Sequence, residues 1–154
     1  MAKTSAGLIM YRYTDRTLEI LLVHPGGPFW KNKEDGAWSI PKGEYREGED
    51  PLEAAKREFR EETGYAAGGN FIALSPVRIS GKIITAWAFE GDCDAGRVVS
   101  NTFAMEWPPH SGRQTEFPEV DRAGWFPLDA ARQKLSRGQV ALIDQLEKKL
   151  SSAA

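Results

Sequence analysis

Three glutamates, Glu58, Glu61 and Glu62, stand three and four residues apart in the run from Asp50 to Gly64. On a helix that spacing places all three on one face, where neighbouring carboxylates repel one another. They also fall in the last turns before Gly64, where the helix dipole disfavours negative charge by about 0.3–1 kcal/mol per group. Helix stability alone favours the reverse order, with acids first and bases last. A hard divalent cation removes the conflict, because magnesium and similar ions prefer clustered carboxylate oxygens. The plainer reading is a solvated helical face paired with Lys56, Arg57 and Arg60.

The helix that must carry these acids is well punctuated. Asp50 suits the N-cap, Pro51 the first helical position, and Glu53 completes a capping box three residues after the cap. Gly64 supplies the stop. Leu52, Ala55 and Phe59 form an apolar stripe beside the acidic face, so one side packs on a core while the next faces a cleft. Before the helix, Gly7 to Tyr13 and Leu18 to Val23 flank the turn Thr14-Asp15-Arg16, which predicts an antiparallel hairpin. A Gly/Pro-rich loop, Pro25 to Gly36, is followed by a short apolar stretch, Ala37 to Ile40, stopped by Pro41. After the helix, Phe71 to Val77, Ile83 to Phe89 and Val98 to Trp107 read as strands, and residues 108–118 as a polar loop. A short strand near Trp125 and Phe126 leads to a small helix, Leu128 to Leu135. A final helix has Ser136 and Gln139 as its capping box and Val140, Ile143, Leu146 and Leu150 as its buried face. The pattern predicts an α+β or α/β sandwich in one piece, a single domain over residues 1–154.

The bulk properties fit that picture. The chain has 154 residues, 41% hydrophobic and 27% charged, as expected of a globular domain with a buried core. A net charge of -2 gives no electrostatic argument for a long nucleic-acid partner or a membrane surface. One cysteine, Cys93, excludes an intrachain disulfide and suits a reducing compartment. The start, MAKTSAG, lacks the apolar core of a secretory leader, and no apolar run approaches the roughly 18–20 residues that cross a bilayer. The expected location is cytoplasmic. Oligomeric state is not legible.

The segment from Gly43 to Tyr65 resembles the Nudix box, G-x5-E-x7-R-E-U-x-E-E-x-G-U, in which U is a bulky apolar residue. Gly43, Glu49, Arg57, Glu58, Phe59, Glu61, Glu62 and Gly64 all fall on the pattern, eight positions over 23 residues. Tyr65 departs from the usual aliphatic residue, which bears on packing and not on chemistry. Glu119 to Trp125 also resembles the family's E-V-x-x-x-x-W ending. The resemblance implies an α/β/α sandwich, with a mixed central sheet and helices on both sides. It implies hydrolysis of a nucleoside diphosphate linked to another group. Glu58, Glu61 and Glu62 would bind Mg2+ or Mn2+, helped by a backbone carbonyl at Lys42 or Gly43. Arg57 would hold the glutamates by ion pairing, with Glu49 in support. The general base varies among relatives: here it is Glu58 or a later acid, Glu119, with Glu116 as its rival. No serine or cysteine nucleophile is needed.

The partner that follows is a small nucleotide: a nucleoside triphosphate, a dinucleoside polyphosphate, a nucleotide sugar or ADP-ribose. The lead-in from Trp38 to Gly43 resembles dinucleoside polyphosphate hydrolases, while residues 77–97 carry no marker proline or tyrosine for a subgroup. Trp30 and Trp38, with Phe29, are candidates to stack a base; Trp38, inside a short strand, reads more often as core, while for Trp30 the two readings are even. Lys42, beside the box glycine, is the candidate phosphate contact. Two other functions stay open. One is removal of pyrophosphate from RNA 5′ ends, which the acidic balance disfavours. The other is a catalytically silent nucleotide-sensing module, which usually loses box glutamates that this chain keeps. Pro25-Gly26-Gly27-Pro28 lacks the Lys-Ser/Thr of a phosphate-binding loop, and His24 and His110 are too few for a metal site.

Overall fold

The computed structural model describes residues 3–152. Its first two strands, β1 (Lys3–Thr14) and β2 (Thr17–Pro25), pair antiparallel around the two-residue turn Asp15-Arg16. Both turn residues take left-handed backbone angles, φ 49° and 69°, as a tight hairpin requires. β3 (Lys42–Glu44) adds to β1, and α1 (Pro51–Thr63) follows. Three strands come next: β4 (Ile72–Ala73), β5 (Val77–Ile79) and β6 (Lys82–Glu90). β7 (Thr102–Glu106) and β8 (Gln114–Pro118) precede β9 (Val120–Pro127). The chain closes with α2 (Leu128–Lys134) and α3 (Val140–Ser152).

The main sheet runs β4-β6-β1-β2-β9, with β3 beside β1 and β5 beside β6. β1 and β6 are parallel and the other pairs antiparallel, so the sheet is mixed. β1 is buried continuously from Ser5 to Tyr11, the mark of a strand covered on both faces. Its even positions, Ala6, Leu8 and Met10, pack with Ala54, Ala55 and Phe59 of α1. Its odd positions, Ile9 and Tyr11, pack with Ala131 of α2 and Leu142, Ile143 and Leu146 of α3. The period-2 alternation of one strand therefore divides the core into two layers, and the α/β/α sandwich follows.

Several sequence expectations change. Ala37 to Ile40 is not a strand; Trp38 and Ser39 make only isolated bridges, to Leu135 and Val23. Phe71 to Val77 divides into β4 and β5. The strand expected from Val98 starts only at Thr102, and residues 114–118 of the expected loop are β8, which pairs β7 as a separate hairpin. Ser136 makes no side-chain cap. Gln139 is instead buried, accepting from the Ile40 N–H at 3.0 Å and donating to Ser39 Oγ at 3.0 Å. Its amide serves the layer contact and not the start of α3. Among the described residues no helix is long and apolar enough to cross a membrane.

Candidate active site

Local chemistry fixes α1 first. The Asp50 carboxylate accepts from the Glu53 N–H at 3.0 Å, and Gly64, at φ 82°, donates to the Arg60 carbonyl at 2.8 Å. Glu53 turns its own side chain toward Lys56, 3.8 Å away, so only half of the capping box forms. Ala54, Ala55, Phe59 and Thr63 are buried and set the roll of the helix. Glu58, Glu61 and Glu62 then face β3 and the segment between β8 and β9.

Glu58 lies against the backbone of Gly43. A Cβ at that glycine would stand 1.8 Å from Glu58 Oε1, so the carboxylate occupies the space a side chain would take. Glu62 accepts from the Lys42 N–H at 3.3 Å. Arg57 bonds Glu49 and reaches Glu58 at 3.9 Å and Glu61 at 3.8 Å, the arrangement expected of a residue that holds the acids in place. Across the cleft, Glu119 is held by its backbone alone: its N–H donates to the Asn101 carbonyl at 2.8 Å, and its carbonyl accepts from Gly26 at 2.9 Å. Asn101 in turn donates to the Glu61 carbonyl at 2.8 Å. Segment 98–101, expected as strand, is thus a strap that ties the end of α1 to Glu119. Nothing in its sequence beyond the turn-forming Ser100 and Asn101 announces that role.

The electrostatics follow from this crowding. Burial and the nearby Glu58 push the Glu62 carboxyl up to about 8. Burial and the bond to Glu61 push Glu58 up to about 7, against the pull of Arg57. Glu119 is raised by burial and by Glu61. Lys42 is lowered by burial, an effect that Glu62 opposes. A cavity of about 150 Å³ brings Lys42, Glu62 and Glu119 to one wall with Ser39. Four acids whose charged forms repel, with oxygen as the donor throughout, fit a hard divalent cation. Among the described residues no three of them already stand at metal-ligand separations; Arg57 lies near Glu58 and Glu61, and the Lys42 N–H donates to Glu62.

Other sequence candidates are not drawn into the cleft. Trp38, 3% exposed, is wedged between His24 and Phe126 with ring centroids at 5.2 and 5.0 Å. It is a core residue with no face left to stack a base, and its assignment as a substrate contact is corrected. Trp30 is 41% exposed, with Lys33 over its ring, and does not line the acidic cavity. Glu116 is exposed on β8, where it accepts from Thr102. His24 is buried between Asp121 and the Lys33 carbonyl, a structural tie. Burial and Asp92 push the Cys93 thiol up, away from nucleophilic use.

A sequence model of the NUDIX domain matches residues 1–146. The chain belongs to the NUDIX family. Among curated proteins none matches. Solved structures share the Nudix fold. A Caenorhabditis elegans Ap4A hydrolase binary complex superposes with TM-score 0.64 at 21% identity, covering 97% of this chain and 98% of that one. The NUDIX domain of Shewanella oneidensis NrtR, complexed with ADP ribose, gives TM-score 0.67 at 19% identity over 97% and 89%. A mutT/nudix family protein from Listeria innocua gives 0.61 at 19% over 98% and 95%.

Proposed function

We propose that this NUDIX-family chain is a hydrolase that cleaves the pyrophosphate bond of a small nucleoside diphosphate-linked substrate with Mg2+ or Mn2+. The observation that carries the reading is the convergence of Glu62, Lys42 and Glu119 on one cavity, with Glu58 seated on Gly43 beside it. Glu58, Glu61 and Glu62 would hold the cation, with a backbone carbonyl at Lys42 or Gly43. When bound, such a cation neutralises phosphate charge and lowers the pKa of water. Arg57 keeps Glu58 and Glu61 oriented before substrate arrives. Glu119, outside that ligand set and across the cleft, accepts the proton of the attacking water. The Lys42 ammonium, half-buried in the same cavity, stabilises charge that collects on the phosphoryl oxygens. The likeness to the Ap4A hydrolase, together with the stretch from Trp38 to Gly43, favours dinucleoside polyphosphates as the first substrates to try.

The test is a panel of nucleoside triphosphates, diadenosine tetraphosphate, ADP-ribose and nucleotide sugars, each with Mg2+ and with Mn2+, read by released products. Cleavage of at least one, dependent on the cation, is the expected result. Tight binding with no turnover anywhere in the panel would replace the enzyme with a nucleotide-sensing module. Gly43→Ala supplies a finer check. The added methyl displaces the Glu58 carboxylate, the free end of a flexible side chain, so melting temperature should change little. Activity should fall about 100-fold, the effect of misplacing a reacting group by about 1 Å. Wild-type turnover in Gly43→Ala would remove Glu58 from the site.

A further inference from the structure

The β7–β8 hairpin alternates exposed Thr102, Ala104, Glu106 and Glu116 with half-buried Phe103, Met105, Trp107 and Phe117. Its apolar face belongs to neither of the two core clusters that the helices cover. It lies against the glycine-rich loop after β2: Gly27 has φ 96°, and a Cβ there would come within 3.0 Å of the Phe103 ring. At Gly26 a Cβ would meet the Pro118 carbonyl at 1.9 Å, so the loop and the hairpin close only through glycine. Phe29 stands edge-on to Trp107 with centroids 5.5 Å apart and is itself 59% exposed. Between loop and hairpin remains a cavity of about 380 Å³, lined by Pro28, Lys31, Trp107, Phe117 and Asp121, with Gly27 and Pro118 at its base.

We infer that this aromatic slot is where the chain holds the base of its nucleotide, with Trp107 as the stacking residue. The inference rests on the reading of the acidic cleft as a pyrophosphohydrolase site. Three observations assign the occupant. The slot shares no lining residue with the cleft but adjoins it along one stretch of backbone, where Pro118 and Asp121 flank Glu119 and Val120 and Gly26 donates to the Glu119 carbonyl. Its size lies within the ordinary range for small-molecule sites, about 300–1,000 Å³. Its lining includes the Trp107 and Phe117 rings together with Lys31, a donor, and Asp121, one of whose carboxylate oxygens is already bonded to His24. Rings beside a polar edge suit a flat heterocycle. Glu119 then sits at the junction, with phosphates on one side and base on the other. Trp38 is shut in the core and Trp30 lines neither cavity, so the aromatic group suited to base recognition comes from the hairpin.

The test titrates the full chain, with Mg2+ present, with AMP, GMP, CMP and UMP and with ribose 5-phosphate, which lacks a base. Calorimetry reads affinity, and NMR of the amides and of the tryptophan indoles reads position. At least one nucleotide should bind about 10-fold or more tightly than ribose 5-phosphate, with shifts at the Trp107 indole and at Lys31. Trp107→Ala should lose that preference by about 5- to 100-fold, and Trp107→Phe should retain most of it. Should Trp107→Ala fail to fold, the wild-type shifts and Trp107→Leu decide the matter. Equal affinity for nucleotides and ribose 5-phosphate, shifts confined to Trp30, or a preference that survives Trp107→Leu would each overturn the assignment. A chain that hydrolyses the substrate panel without any base preference refutes the slot alone. A chain that shows the Trp107-dependent preference and hydrolyses nothing refutes the hydrolase reading and leaves the slot standing.

Discussion

Glu62→Gln is expected to lower kcat by about 1,000-fold while raising the melting temperature of the metal-free protein at pH 8. Most substitutions at a buried polar position lose stability; this one should gain it, for a reason visible in the site. The Glu62 carboxylate end is buried, although the residue as a whole is half-buried, and Glu58 and Glu119 both repel its charge. Its folded pKa is therefore raised, to about 8, above the ordinary carboxylate value. Between those two values the folded state holds a proton that the unfolded state has released. Stability is greatest below the unfolded value and is lost as pH rises through the folded one. Glu58, raised to about 7, adds to the same slope. Glutamine keeps the oxygen that accepts from Lys42 N–H and removes the charge, so the slope between about pH 5 and 8 should flatten, a gain of order 2 kcal/mol at pH 8. A cation held by the acids should flatten the wild-type slope in the same way and do much less for the variant. The loss of kcat expresses the missing charge stabilisation in the transition state, commonly about 100- to 1,000-fold for one such interaction. Thermal melts across pH, with and without Mg2+, decide it. A wild-type protein whose stability does not fall between pH 6 and 8 would show that these acids do not crowd as described.

What the sequence revealed of this site divides along the range of the interactions involved. The helix from Pro51 to Thr63 is legible because its cap, its proline, its glycine stop and its acidic spacing all lie within one short segment. The central strands are legible because β1 is apolar on both faces and β2 on most of its length. The hairpin is not. Its two strands alternate apolar with polar residues and are separated by Pro108-Pro109 and His110 to Gly112, so locally they read as strand and polar loop. The partner that makes β8 a strand is β7, and the partner that covers its apolar face is Gly26-Gly27-Pro28, remote in sequence. Trp38 fails for a related reason. An apolar stretch fixes that some side chain is buried, but the contact with Phe126 that shuts this ring away comes from β9. Gln139 follows the same logic, since a sound local capping pattern yields to Ser39 and Ile40.

The choice between the two later acids turns on tertiary placement, which spacing leaves open. Glu116 and Glu119 are three residues apart, yet only Glu119 lines the cavity with Lys42 and Glu62. The difference arises at the end of β8, where Glu119 leaves the hairpin and its backbone is taken by Asn101 and Gly26. Glu116 remains on the hairpin's exposed edge. Glu119→Gln should therefore lower kcat by about 1,000-fold with KM changed only a few-fold, within the range for loss of a general base. Because its fixed groups are main-chain, the amide should leave folding intact. The raised carboxyl of Glu119 also places the rising limb of the wild-type pH–rate profile above the ordinary carboxylate range, and that limb should vanish in the variant. Glu116→Gln should behave as wild type in kcat, KM and pH profile. If Glu119→Gln keeps its kcat while Glu58→Gln abolishes turnover, proton transfer belongs to α1, and Glu119 serves the cleft only as a source of negative charge.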